Sequence, residues 1–130
     1  MATLYPFDAQ AVLHNGSAKT ASGVGSVPYY DVGAAARFPA VAVISVPTLA
    51  AGTNETYDVV IEGSETTGFG TVKQLGSMTI TRGEPGRYTV LFDNDQNGKV
   101  YRYIRVNFVV GGAAPSIAAN VFMAPLYPVS

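Results

Sequence analysis

A chain of 130 residues is one domain by length, large enough to bury a core without covalent staples. Hydrophobic residues make up 48% of it and charged residues only 13%, about half the usual ~25%, so part of the surface is expected to be covered by something else. A net charge of −1 with no basic run argues against a nucleic-acid partner, no apolar run reaches the roughly 20 residues of a membrane span, and the absence of cysteine excludes disulfides, thiol catalysis and Cys-ligated zinc.

In chain order, residues 1–25 are rich in Ala, Ser, Thr and Gly and read as an extended arm plus a first short strand near 10–14. The start, MATLYPFDAQ, lacks the charged onset and apolar run of a signal peptide. A short strand is expected at 26–32. Gly33-Ala34-Ala35-Ala36-Arg37 offers one helical turn at most before Phe38-Pro39. Residues 38–46, FPAVAVISV, are apolar on both faces, as in a central strand covered on both sides.

Period-two patterning governs the rest. At 56–62, Tyr57, Val59 and Ile61 alternate with polar residues. At 100–110, Val100, Ile104, Val106, Phe108 and Val110 share one face that Arg102 interrupts, opposite Tyr101, Tyr103, Arg105, Asn107 and Val109. Further strands are expected near 71–81, 87–92 and 117–124, separated by Gly- and Asn-rich turns. About eight short strands favour an all-β, two-sheet antiparallel sandwich, of which the jelly roll is the eight-stranded version. The sandwich spans 26–124, and 125–130 form an apolar tail.

Candidate sites are few. Asp93-Asn94-Asp95-Gln96-Asn97-Gly98 begins like a calcium loop, but its twelfth position is Ile104 where a Glu should stand. Asn97-Gly98 between two strands instead signals a hairpin, and a weak cation site is the alternative. Arg102 is placed on the buried face, where it needs a carboxylate or carbonyl partner. Arg105 stands with Tyr101 and Tyr103, residue types enriched at interfaces; pairing within the domain and contact with a partner chain both remain open. His14, the one histidine, reads as a surface or turn residue, with no nucleophile motif beside it. Gly23-Val24-Gly25-Ser26 lacks the third glycine and the helix of a dinucleotide loop. The proline-marked ends expose Tyr5 and Phe7, and Leu126 and Tyr127, either to their own domain or to a neighbour.

The carboxy-terminal third carries a likeness. Tyr101-Arg102-Tyr103-Ile104-Arg105-Val106 leads into Val109-Val110-Gly111-Gly112, then a last strand and a short apolar tail, and Asp8-Ala9-Gln10-Ala11 stands near the start. In these features the chain resembles the capsid cement (decoration) proteins of short-tailed, Bordetella-phage-like viruses. The resemblance implies a jelly-roll subunit, made in the host cytoplasm and lodged on the outer capsid surface of the virion. There it would form a dimer or other small homo-oligomer and bind the major capsid protein across subunits. It implies no catalysis and no cofactor or metal. A carbohydrate-binding or receptor-binding β-sandwich module of a phage is the alternative, weakened by the lack of tryptophan. The interface expected from the sequence is Tyr5, Phe7, Tyr101, Tyr103, Arg105, Leu126 and Tyr127.

Overall fold

Alternation decides which way each strand faces. In Thr56–Ser64 the side chains of Tyr57, Val59 and Ile61 are buried, and in Tyr103–Gly111 those of Ile104, Val106 and Phe108 are. Such half-apolar strands bury one face only when a second sheet covers it, and the structure is all-β for that reason. It is a computed structural model describing residues 12–33, 39–50, 54–80, 85–96 and 98–125.

Among the described residues there are eleven strands and no helix. They are β1 (Val12–Lys19), β2 (Gly23–Val24), β3 (Tyr30–Asp31), β4 (Ala40–Leu49), β5 (Thr56–Ser64), β6 (Lys73–Thr79), β7 (Gly86–Phe92), β8 (Asp95–Gln96), β9 (Lys99–Val100), β10 (Tyr103–Gly111) and β11 (Ile117–Pro125). One sheet runs β1-β11-β4-β7. The other runs β2-β10-β5-β6, with β3 also on β10. Every pairing is antiparallel. The two inner faces meet in one core, with Leu13, Ile44, Phe92 and Val121 from the first sheet and Tyr57, Ile61, Val106 and Phe108 from the second. Complete burial of an aliphatic or aromatic side chain of this size contributes about 1.5–3 kcal/mol.

Several expectations hold. β4 is central, between β11 and β7, with Ala40, Ala42, Ile44 and Val46 facing the core. Asp95–Gln96 pairs with Lys99–Val100, the two-residue hairpin that Asn-Gly signals, and Gly98 takes a φ of +80° that a Cβ would disfavour.

Others are corrected. The strand expected at 26–32 shrinks to Tyr30–Asp31, because this segment only patches the edge of β10 in two pieces, β2 and β3. The first strand, expected near 10–14, extends to Lys19: β1 pairs along β11 and buries Leu13 in the core. Arg102 does not lie on the buried face. The strand starts one residue later, at Tyr103, so the alternation does not reach Arg102, whose side chain is 41% exposed. The Asp8–Ala11 element, the alanine-rich turn after Gly33 and the 126–130 tail lie outside the described residues.

One side chain ties the sheets at an end of the sandwich. The Tyr57 hydroxyl, on a residue 1% exposed, donates to the Ala50 carbonyl and accepts from the Ser116 N–H at 3.0 Å. Ala50 follows β4 and Ser116 precedes β11, and their backbones are themselves joined by a 2.7 Å hydrogen bond. Tyr57→Phe keeps the ring but removes the partner of a half-buried N–H and carbonyl. It is expected to cost about 1–3 kcal/mol and lower Tm by several degrees in thermal unfolding. An unchanged Tm would show that the hydroxyl ties nothing.

Candidate functional site

The outer face of the second sheet carries a set of polar side chains paired with one another, beside the exposed Val24 and Val109. Register sets Arg105 directly opposite Glu62. Arg105 Nε donates to Glu62 Oε1 at 2.8 Å, and Asn107 Nδ2 donates to Glu62 Oε2 at 3.1 Å. Phe69 covers this cluster, its ring centroid 4.2 Å from Arg105 Cζ. Phe69 itself is buried and holds a φ of 51°, in the left-handed region, between Gly68 and Gly70. Farther along, Arg102 donates from Nε and Nη2 to the two Asp31 oxygens at 2.7 and 2.9 Å. This fork lowers the Asp31 pKa and raises that of Arg102. Arg102 also lies over the Tyr103 ring, which meets Tyr29 edge-on at 5.1 Å.

Beside this network is a cavity of about 280 Å³, lined by Ser64, Glu65, Thr66, Gly70, Thr71 and Tyr101. Its wall is fixed from behind. Asn94 is fully buried, donates from Nδ2 to the Tyr101 carbonyl at 2.9 Å and accepts the Tyr101 N–H at its own carbonyl at 2.9 Å. Gly63 makes room: a Cβ there would stand 2.9 Å from the Tyr101 Cβ. Ser64 Oγ accepts the Thr66 N–H at 3.2 Å and starts the turn of the 64–72 loop. At the edge, Lys99 Nζ lies 2.8 Å from Glu65 Oε2. The Glu65 carboxylate, and more weakly the Tyr101 phenol, raises the pKa of Lys99.

The outer face of the first sheet differs in kind. Val12, Val43 and Phe122 fall in one cross-strand row, and Val41, Leu91 and Ala124 in the next. Among the described residues Leu91, 66% exposed, is the most open of the large hydrophobic residues. This apolar half lies at the end where β1 begins at Val12 and β11 finishes at Pro125.

His14 is not a surface residue: it is 1% exposed. Its Nε2–H donates to the Ser17 carbonyl at 2.7 Å, its Nδ1 accepts the Ser26 N–H at 3.0 Å, and its ring meets Phe108 edge-on. The imidazole therefore clamps the β1 bulge to the 20–33 segment, and does so only when neutral, since a protonated Nδ1 would face an N–H donor. The 93–101 turn likewise spends its polar groups on itself: Asp93 Oδ1 accepts the Asp95 N–H and Gln96 donates to the Asp93 carbonyl. Among the described residues no group of three or more His, Asp or Glu could hold a metal ion.

Of the interface residues expected from the sequence, Tyr5, Phe7, Leu126 and Tyr127 lie outside the described residues. Tyr103 and Arg105 share the polar face, both with partners inside the chain, and Tyr101 forms a cavity wall. Sequence reading missed Ser64, Glu65 and Thr71, which carry no motif, and read Asn94 only as part of a hairpin or weak cation loop. The hairpin signal at Asn97-Gly98 was the one cue that the turn would fold back beside Tyr101. No family profile matches this chain, and no curated protein matches it.

Burial, and less strongly the charge of Lys19, lowers the His14 pKa below its ordinary 6.5, against a raising contribution from the Ser17 carbonyl. The unfolded chain thus takes up the proton first. Stability is full above pH 6.5 and is expected to fall as pH drops from there through the lowered folded value. Urea midpoints between neutral pH and pH 5 check this, and the single His resonance should titrate below 6.5. A folded-state midpoint at or above 6.5 would contradict the clamp.

Proposed function

We propose that this protein is a structural virion component, a cement protein that attaches to the outside of an icosahedral phage capsid and holds neighbouring major capsid protein subunits together. The observation that carries the reading is a coincidence of place. The apolar half of the first sheet's outer face adjoins Val12 and Pro125, where the segments bearing Tyr5, Phe7, Leu126 and Tyr127 join the sandwich. An apolar half-face at that end of the sandwich, next to two stretches of sequence that carry Tyr5, Phe7, Leu126 and Tyr127, suits the bridging of adjacent subunits.

The low charge of the chain and its likeness to capsid cement proteins in residues 99–124 support the same reading. That likeness carries with it a jelly-roll path for the chain and assembly as a small homo-oligomer on the virion surface. The action is linkage: a protein that binds the assembled, expanded shell and not its dissociated parts stabilises the shell by mass action. Many copies, each with a modest interface, add to a large total.

The test is co-sedimentation of the purified protein with cognate expanded capsids and with unexpanded procapsids. Saturable binding to expanded shells at a fixed ratio to capsid protein is expected. Leu91→Glu, a change on an exposed side chain, should weaken that binding at least tenfold, with Tm within about 2 °C of the parent. Absence of binding to either shell would overturn the reading. Sedimentation velocity without capsids shows whether the same face instead joins two copies of the chain.

A further inference from the structure

We propose that the cavity walled by Tyr101 binds a neutral hexopyranose, a second activity separate from attachment to a shell. Its lining is that of a polyol site. Ser64, Thr66 and Thr71 supply hydroxyls, each able to donate and accept, and Tyr101 supplies a ring and a phenol. Glu65 supplies a carboxylate, the strongest acceptor for a pair of neighbouring sugar hydroxyls. Lys99, 2.8 Å from that carboxylate, adds an ammonium donor at the edge, so one diol can both donate to Glu65 and accept from Lys99.

Charge selects against the other small ligands. An anion entering the cavity meets the Glu65 carboxylate, and a cation competes with Lys99 for it. A neutral polyol keeps the ion pair and bonds to both members. The volume, about 280 Å³, falls just under the ~300 Å³ floor of drug-sized sites and suits a ligand of about a dozen non-hydrogen atoms.

The site is also formed in advance. Asn94, fully buried, fixes the Tyr101 backbone on both sides, and the buried Ser64 starts the loop opposite. Little ordering is left for binding to drive, which is where weak ligands lose most affinity. The cavity belongs to the 64–72 loop and the 93–101 turn of the second sheet's side, whereas the apolar patch is the outer face of the other sheet. A subunit held by that patch would leave the cavity free.

The experiment is NMR titration of the full chain with the methyl glycosides of glucose, galactose, mannose and N-acetylglucosamine. At least one should give saturable shifts centred on residues 64–71 and 101, with Kd on the order of 1 mM. Gly70 lines the cavity and a Cβ there would meet nothing within 4 Å, so Gly70→Phe adds a bulky side chain at the site without a clash at its Cβ. It should reduce binding at least tenfold with Tm changed by no more than about 2 °C and with capsid co-sedimentation unchanged. Glu65→Gln should weaken binding by about tenfold while the fold persists. No shifts from any of the four glycosides at about 20 mM, or binding undiminished in Gly70→Phe, would overturn the proposal and leave the shell reading untouched.

Discussion

The register of β10 on β5 is the constraint on which the rest of the molecule depends. The pairing is continuous from Tyr103 opposite Ser64 to Gly111 opposite Thr56, with no bulge. Because side chains alternate, a slip of one residue would turn Ile104, Val106 and Phe108 outward and send Arg105 into the core without Glu62. The same register delivers Tyr101 to the end of β5, beside Ser64 and Glu65. Core, charge network and cavity wall are three consequences of one alignment. The Arg105–Glu62 pair, with side chains 22% and 12% exposed, penalises the slipped alternatives more than it adds stability to the correct one.

The two outer faces divide the work. On the second sheet nearly every polar group meets another of its own chain: Thr79 with Asp58, Gln74 with Ser77, Arg105 and Asn107 with Glu62. Such a face can remain in water. The first sheet's outer face carries Val41, Val43, Leu91 and Phe122 across adjacent strands, Leu91 exposed and Val43 buried. A chain with only 13% charged residues has too little charge to make both faces hydrophilic.

Much of the fold was legible because period two is a local signal. Tyr57, Val59 and Ile61, or Ile104, Val106 and Phe108, declare their face within a few residues, and Asn97-Gly98 declares its turn. The candidate site was mostly illegible because its parts are joined by tertiary accidents of path. His14 is buried by backbone groups of Ser17 and Ser26 that offer no side-chain pattern to read. Arg102 was misplaced because alternation was carried back to residue 100, ahead of Tyr103 where β10 starts. Glu65 and Thr71 meet Tyr101 only after β5 and β10 have paired, so nothing near them in sequence marks them.

Buried polar side chains explain how a chain with so few charges still specifies one arrangement. Tyr57, His14 and Asn94 are each almost wholly buried, and each bonds to backbone groups distant from it in the chain or across a turn. An apolar contact tolerates sliding, whereas a buried hydroxyl or imidazole misplaced by one residue leaves a donor or acceptor unmet at about 1–3 kcal/mol. Each of the three therefore acts as a register pin for a segment that apolar alternation leaves loose. Tyr57 fixes the ends of β4 and β11, His14 fixes the 20–33 segment, and Asn94 fixes the turn before β10. Rigidity at these junctions is what either role demands. A strut between shell subunits transmits load only if its ends do not shift, and a small cavity recognises a small ligand only if its walls are already in place.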